Sequence, residues 1–238
     1  MAVPEGFVLL DLHNHTHYSY DSINRLEDYA RAHEAGRFDV LAVTDHNVID
    51  GALELARDAP FPVIVGLEID SRDGELIGLF LHEAVPPGLP AVETARRIRA
   101  QGGLVYLQHP FYRFVRYPLR RAAMEDLVRR ELVDVVEVAN GGPFTTRANS
   151  RALRWALARG LPQGAGSDAH EPPDIGTCVV AVPPGPLEAA SLPGRLRSGI
   201  VLDRRRSSFA VLATKTRLRF LPAIGGRLRR RPRRSRLR

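Results

Sequence analysis

The sequence predicts an α/β fold, in the form of a parallel barrel or an open sheet. Short apolar runs alternate with helix-like segments along the chain, and this alternation is typical of strand–helix–strand units. Polar residues follow the apolar runs at the points where the predicted strands end. In barrels and open α/β sheets alike, the carboxyl ends of the strands form the edge at which sites are built.

The apolar runs give eight predicted strands, and the segments between them give the helices. Strands are expected at residues 7–13, 38–46, 61–70, 74–82, 104–109, 133–140, 161–170 and 177–182. The sequence SRDG between the third and fourth strands is a turn signal, which predicts a hairpin. Helices are expected at residues 25–36, 91–103, 119–132 and 146–160, and residues 187–199 complete the body.

The chain is expected to divide into a folded domain, residues 1–210, and a basic tail, residues 211–238. Residues 215–238 hold 11 of the 34 Lys and Arg residues and none of the 27 acidic residues, so the remaining residues carry a net charge of −4. Few apolar residues follow Leu221, which predicts disorder. The tail suits nucleic-acid phosphates or an anionic membrane surface equally well, and a solubilising role is a third alternative.

Cysteine content and hydropathy indicate the compartment. Cys178 is the one cysteine, so an internal disulfide is excluded, and the residue is interpreted as a small buried hydrophobe. The N-terminal sequence MAVPEGFVLL lacks the basic region of a secretory signal, and no apolar run is long enough to span a membrane. A cytoplasmic location is therefore expected, and no protein partner is predicted.

Histidine and carboxylate residues gather at the predicted strand ends. His13 and His15 are two residues apart on an extended strand, so both imidazoles point to the same side. Further strand-end histidines are His46, His82, His109 and His170, and the matching carboxylates are Asp21, Glu68 and Asp168. Imidazole and carboxylate ligands without thiolate suit Zn²⁺, Mn²⁺ or Fe²⁺. The number of ligands predicts two or three divalent ions bridged by a carboxylate.

Five ordered motifs resemble those of the PHP (polymerase and histidinol phosphatase) superfamily of metal-dependent phosphoesterases. The motifs are DLHNHTHYSYDS, VTDHN, GLEI, QHP and GSDAH, and the resemblance covers roughly residues 7–182. It is closest to small bacterial phosphoesterases such as nucleoside 3′,5′-bisphosphate phosphatases and 5′-exonucleases. The resemblance implies a distorted (β/α)7 barrel with up to three divalent ions at the carboxyl ends of its strands.

The resemblance also implies which residues hold each ion. The first ion would be held by His13, His15, Glu68 and Asp168. Glu68 would bridge to a second ion that His109 also binds, and a third ion would be held by Asp21, His46 and His170. His17 matches no ligand position, and a role at the rim of the site and a plain surface role both stay open.

One position departs from the family pattern. Similar phosphoesterases often carry a further histidine opposite the bridging glutamate, on the next strand of the hairpin. Here that neighbourhood is Ile77, Gly78 and Leu79, and His82 lies farther along, where an ordinary strand-end role is favoured over a metal ligand. A dinuclear site is therefore an alternative to a trinuclear one.

The expected reaction is hydrolysis of a phosphomonoester or of a 5′-phosphorylated nucleotide or oligonucleotide by a metal-activated hydroxide. Asp168 is the candidate proton acceptor, and His170 or His109 is the candidate acid for the leaving oxygen. Candidate substrate-binding residues are Asn140, Arg113 and Arg147, although turn chemistry explains Asn140 equally well. Arg116 is a further loop arginine of the type that a phosphate needs. Alternatives are a histidinol-phosphate or phosphotyrosine phosphatase, and a non-catalytic metal-dependent nucleic-acid-binding module.

Overall fold

A computed structural model describes residues 3–205, and its framework is one sheet of nine strands. The strands are β1 (Val8–Asp11), β2 (Val40–Val43), β3 (Val63–Ser71), β4 (Gly74–Leu79), β5 (Leu104–Leu107), β6 (Val135–Asn140), β7 (Gln163–Gly166), β8 (Cys178–Val182) and β9 (Ile200–Asp203). The helices are α1 (Leu26–Glu34), α2 (Asp50–Asp58), α3 (Ala91–Ala100), α4 (Arg121–Arg129), α5 (Thr146–Leu157) and α6 (Leu192–Arg197), with a 3-10 turn at Pro172–Asp174.

The sheet curls into a nearly closed barrel. Its strand order is β7-β6-β5-β4-β3-β2-β1-β8-β9. The chain that continues β1 reaches the chain that continues β7, because the Leu12 amide donates to the Ala165 carbonyl at 3.1 Å and the Asp168 amide donates to the His13 carbonyl at 2.8 Å. The barrel form of the predicted α/β fold is thus confirmed, and the open sheet is excluded.

The sheet is mixed, since β4, β8 and β9 each have antiparallel neighbours. The hairpin predicted around SRDG is confirmed as β3 and β4. The sequence-based prediction omitted α2 and β9. The helix α2 buries Gly51, Ala52 and Leu55 at helical spacing, which is a pattern that the sequence does carry.

Alternate residues of the strands fill two different parts of the core. In β2, Val40 and Ala42 point into the barrel with Leu10, Ile77 and other strand residues. Leu41 and Val43 instead pack against α1 and α2 with Tyr29 and Leu55. Because successive strand side chains point to opposite faces, a strand with four buried apolar residues serves both layers at once.

Among residues 3–205, no helix has the length and apolar character needed to cross a membrane. The tail at residues 211–238, for which disorder and a basic binding role were predicted, lies outside the described residues. The division at residue 210 therefore stays a prediction.

Candidate metal centre

The barrel brings all eight predicted ligands to one edge, at the carboxyl ends of parallel strands. His13 and His15 follow β1, His46 follows β2, and Glu68 lies in the outer half of β3. The loops after β1, β5 and β7 add Asp21, His109, Asp168 and His170. Within the described part of the chain, four groups of three His, Asp or Glu side chains have ligand atoms within 4.8 Å of one another, and seven of these eight residues, all but Asp21, belong to them.

His13 and His15 point their Nε2 atoms at the same place, as expected for residues two apart on an extended chain. These atoms are 3.0 Å apart, and each lies 3.2 Å from Oε2 of Glu68. Oδ1 of Asp168 completes the group at 3.2 Å from His15 Nε2. A Cβ on Gly166 would lie 2.2 Å from the Cβ of His13, so only glycine lets β7 approach this closely.

Glu68 faces two sets of ligands with its two carboxylate oxygens. Oε2 faces His13 and His15, whereas Oε1 lies 3.3 Å from His109 Nε2 and accepts a hydrogen bond from Gln108 Nε2 at 3.0 Å. Glu68 is only 1% exposed. A buried carboxylate with imidazoles on both sides has the geometry of a bridge between two cations.

Asp21 joins the remaining two imidazoles at the rim of the cluster. Its Oδ2 lies 3.3 Å from Nε2 of His170 and 3.5 Å from Nε2 of His46. The ring of His15 is stacked on that of His46, with ring centroids 4.7 Å apart. This third group therefore adjoins the first, and the ligand set is continuous from Asp21 to His109.

The donor set fits divalent cations. Nδ1 of His46 is buried and has no hydrogen-bond partner among the described residues, and it lies 3.6 Å from Oε2 of Glu68. Nε2 of His13 and Nε2 of His15 are 3.0 Å apart, and if both nitrogens are unprotonated, neither can donate a hydrogen bond to the other. A cation between these nitrogens and the carboxylates satisfies all of these groups. Among these ligands, imidazole and carboxylate together match the predicted Mn²⁺, Zn²⁺ or Fe²⁺.

Opposite charges shift the pKa values in this cluster. Burial lowers the pKa of His46, but the carboxylates of Glu68 and Asp21 outweigh this effect and raise it to about 10. For the carboxyl group of Asp168, burial acts in the opposite direction and raises the pKa. The charges of His13 and other imidazoles outweigh burial and hold this pKa well below its usual range. In the metal-free protein, protons on the imidazoles therefore supply the positive charge that the carboxylates require.

Glu137 lies beneath the cluster, and the sequence analysis missed it. Its Oε1 is 3.1 Å from Nδ1 of His13, and its Oε2 accepts from the His109 amide at 2.5 Å. A carboxylate behind a ligating imidazole fixes the tautomer and the direction of the ring. The available signal was a charged residue in the middle of the apolar run VVEVA, which becomes the buried strand β6.

Asn140 is a positioning residue in this structure. Its Nδ2 donates to Glu137 Oε2 at 3.0 Å and to Asp168 Oδ2 at 3.3 Å, while its Oδ1 accepts from the Gly142 amide at 2.8 Å. The side chain is fully buried. The side-chain nitrogen and oxygen of Asn140 are thus both used in hydrogen bonds, to Glu137, to the ligand Asp168 and to the turn that follows β6.

Glu75 is the second residue that the sequence analysis missed. It pairs with Asp70 across the hairpin, and it belongs to a ligand group with His46 and Asp70. Because β4 runs antiparallel to β3, the first residues of β4 lie at the edge where the other strands end. Burial and the nearby charge of Glu68 raise the pKa of Glu75 to about 8.

His82 lies at the opposite edge, for the same reason. It follows the carboxyl end of the reversed strand β4, and its amide donates to Gln101 at the end of α3. His82 therefore lies away from the ligand cluster, which is consistent with the ordinary strand-end role that its sequence position favours. His17 is exposed and lies against Tyr18, with ring centroids 4.7 Å apart.

Two ligands have unusual backbone conformations. His109 has a φ of 29° and Asp168 a φ of 50°. Left-handed backbone costs a residue with a Cβ roughly 1–3 kcal/mol, and such strain persists where the surroundings fix it. In this protein, the His109 amide is held by Glu137 and the Asp168 amide by His13.

A cavity of about 850 Å³ opens above the cluster. Its floor contains Asp21, His46, Glu68, His109, Asp168 and His170, and its walls contain Tyr20, Tyr112, Phe114, Val115, Arg116 and Phe144. Glu75 also lines it. Arg113 and Arg147 are exposed and lie outside this lining. Among the Lys and Arg residues that the structure describes, Arg116 alone lines the cavity.

The fold and the ligand cluster define an α/β barrel with a candidate metal centre at the carboxyl ends of its strands. The chain belongs to the PHP domain family, which it matches over residues 11–127, and residues 146–200 match the PHP-associated family. The resemblance found in the five motifs is thus confirmed. PHP domains are metal-dependent, in agreement with the ligand groups described above.

Similar proteins include a relative found by its sequence and two solved structures. Uncharacterized protein MJ1587 of Methanocaldococcus jannaschii is 34% identical over 168 residues, which are 65% of this chain and 94% of that protein. A two-domain protein from Bacteroides vulgatus, described as containing a predicted PHP-like metal-dependent phosphoesterase, superposes with a TM-score of 0.64 at 18% identity, covering 91% of this chain and 72% of that chain.

A lesion-specific endonuclease from Pyrococcus furiosus shares the fold as well. It superposes with a TM-score of 0.58 at 15% identity, covering 82% of this chain and 57% of that chain. At these identities, the two structural neighbours establish the fold alone. The substrate of this protein is therefore argued from its own site.

Proposed function

We propose that this protein is a metal-dependent phosphoesterase that hydrolyses a phosphomonoester, on a small molecule, a nucleotide or the 5′ end of an oligonucleotide. The observation that carries the proposal is Glu68, whose two oxygens face two different sets of imidazoles on the floor of an open cavity. Two adjacent cations on such a floor match the charge of a phosphoryl group.

The proposed ligand sets follow the distances. His13, His15, Glu68 and Asp168 hold the first ion, and Asp21, His46 and His170 hold another. Glu68 and His109 share a further ion, and Glu75 belongs to a neighbouring group with His46 and Asp70. Carboxylate is a harder ligand than imidazole, so this group with two carboxylates favours Mn²⁺ over Zn²⁺.

Bound divalent ions lower the pKa of water and neutralise phosphoryl oxygens. Asp168 is the proposed proton acceptor, because its Oδ1 faces His15 while Asn140 holds its other oxygen. His170 or His109 is the proposed donor to the leaving oxygen, since both line the cavity. Arg116, at the wall, provides a cation for an anionic substrate.

The activity is proposed to reside in residues 1–210, because every ligand lies within them. Deletion of residues 211–238 is expected to leave turnover of a small phosphomonoester within about twofold of the full chain. If the tail binds nucleic acid, the deletion raises KM for a 5′-phosphorylated RNA and flattens its salt dependence. An equal loss on both substrates would contradict this division.

Phosphate release with added Mn²⁺ tests the proposal. Suitable substrates are adenosine 3′,5′-bisphosphate, a 5′-phosphorylated RNA, histidinol phosphate and phosphotyrosine, with Glu68→Gln and a chelator as controls. Turnover that is lost in both controls is expected. Turnover that survives removal of metal, or no turnover by protein shown to hold metal, would refute a metal-dependent phosphoesterase.

A further inference from the structure

Three aromatic side chains line the cavity yet remain open to solvent. Phe114 is 82% exposed, Tyr20 is 54% exposed and Phe144 is 48% exposed. They belong to three separate loops, after β5, β1 and β6 respectively. Together with Arg116 we call these residues the aromatic wall. Large apolar side chains that gather around a pocket instead of the core indicate a binding surface.

The aromatic wall is connected to the metal cluster. The ring of Tyr20 stacks on that of His46, with centroids 5.1 Å apart and planes 28° apart. The Arg116 guanidinium lies 5.4 Å from the Tyr20 ring and 5.1 Å from the Tyr117 ring. A flat substrate group held here would therefore lie directly beside the proposed phosphate position, with a cation within reach.

Phe144 is held in a costly conformation. Its φ is 58°, which is a true outlier for a bulky residue. Burial in the core does not compensate for this strain, since nearly half of the side chain is exposed. Strained backbone of this kind is concentrated at ligand-binding positions. The ring of Phe144 lines the same cavity as that of Phe114.

We propose that the aromatic wall binds the base of a nucleotide whose phosphate lies on the metal cluster. Exposed aromatic rings beside a cation are the usual platform for unstacked bases, because every base has a face that stacks. The inference rests on the proposed phosphoesterase function and specifies its substrate class.

The charge of the wall separates this ligand from other ring-bearing phosphates. Arg116 is the cavity's one Lys or Arg within the described residues. A substrate with an ammonium group beside its ring would be repelled by this guanidinium, whereas a nucleotide with a second phosphate or a further linked nucleotide would be attracted. A phosphotyrosine ring would also stack, and it is the competing outcome of the test.

The decisive comparison is between adenosine 5′-monophosphate and ribose 5-phosphate, which share the phosphoester and differ in the base. We expect wild-type protein to favour the nucleotide in kcat/KM. Phe114→Ala should lower this preference about tenfold, mainly through KM, as expected for loss of one stacking contact. Leu157→Ala, a matched exposed apolar position at the far end of α5, should leave it unchanged.

A binding measurement keeps the test independent of turnover. The one native tryptophan, Trp155, is only 8% exposed, so the Phe114→Trp variant adds an exposed fluorophore. Adenosine 5′-monophosphate should quench it, and ribose 5-phosphate should not. If no phosphate is turned over but quenching is base-dependent, the proposed function fails and the base site stands.

Three results would overturn the proposal. One is equal kcat/KM for the two substrates in wild-type protein. Another is a preference for the nucleotide that Phe114→Ala leaves intact. The third is a phosphotyrosine peptide that is preferred over the nucleotide and loses that preference in Phe114→Ala, because the wall would then read a tyrosine ring.

Discussion

The floor and the wall of the cavity are built on opposite principles. The floor consists of histidines and carboxylates at strand ends, such as Glu68 and His109, which are both buried and whose facing atoms are 3.3 Å apart. The aromatic wall consists of exposed side chains on loops, such as Phe114 and Arg116. A rigid scaffold thus carries the groups that require exact distances, and loops carry the groups that choose a ligand.

Glu68→Gln should produce the largest effect and should act on the floor alone. The substitution removes the negative charge that Glu68 provides to two neighbouring ligand sets. We expect kcat/KM to fall by about three orders of magnitude, because this charge contributes several kcal/mol to stabilisation of the bound ions and the transition state. The loss should be the same for a nucleotide and for ribose 5-phosphate. Glu83→Gln, an exposed position after β4, is the control.

If Glu68→Gln changed the preference for a nucleotide over ribose 5-phosphate, the floor would also contribute to the choice of substrate, contrary to the comparison above. Metal content by elemental analysis should fall in the same variant. Full metal content with full activity would show that Glu68 bridges nothing.

Glu137→Gln should weaken metal binding about 10- to 100-fold, which is the usual effect of losing the partner behind a ligating imidazole. The amide keeps the shape of the side chain but cannot accept from both His109 and Asn140 while holding His13. Competition with a chromogenic chelator measures the affinity. An unchanged affinity with lower stability would assign Glu137 to packing only.

Metal affinity should rise with pH, by about tenfold per pH unit for each displaced proton. His46, with its pKa raised to about 10, stabilises the metal-free fold fully below the unfolded value of 6.5, and this contribution is lost as pH rises through 10. The melting temperature of metal-free protein should fall from pH 6.5 to 9, while that of metal-loaded protein should not. A constant difference between them would contradict proton displacement.

Glu75→Gln should have the smallest effect on the floor, about fivefold in Mn²⁺ affinity, because His46 and Asp70 remain in the same ligand group. Glu75→His should restore binding and shift the preference toward Zn²⁺. Titration calorimetry with each metal measures both variants. Equal affinities in all three proteins would exclude Glu75 from the ligand set and favour the dinuclear alternative.

Much of the floor was predictable because local spacing determines it. The HxH spacing fixes the direction of His13 and His15, and strand ends locate His46 and His109. Glu75 was not predicted, and His82 lies away from the site, because the direction of β4 depends on its pairing with β3, which reverses the edge that each residue occupies. Glu137 became visible only when β6 was placed behind His13.

The wall could not be predicted from spacing. Arg113, Arg116 and Arg147 were all loop candidates for binding phosphate, and of these three Arg116 alone lines the cavity. Loop conformations depend on many weak contacts, and the left-handed φ of Phe144 has no sequence signal, since glycine or asparagine is the usual residue there. The helix α2 was an omission that its apolar spacing would have corrected.

The left-handed backbone at His109 and Asp168 ties the strain of the fold to its metal ligands. Glycine at either position would relieve the strain, but it would also remove a ligand and leave neighbouring buried charges without a partner. At these two positions, a relaxed backbone is therefore reached only by giving up the metal site.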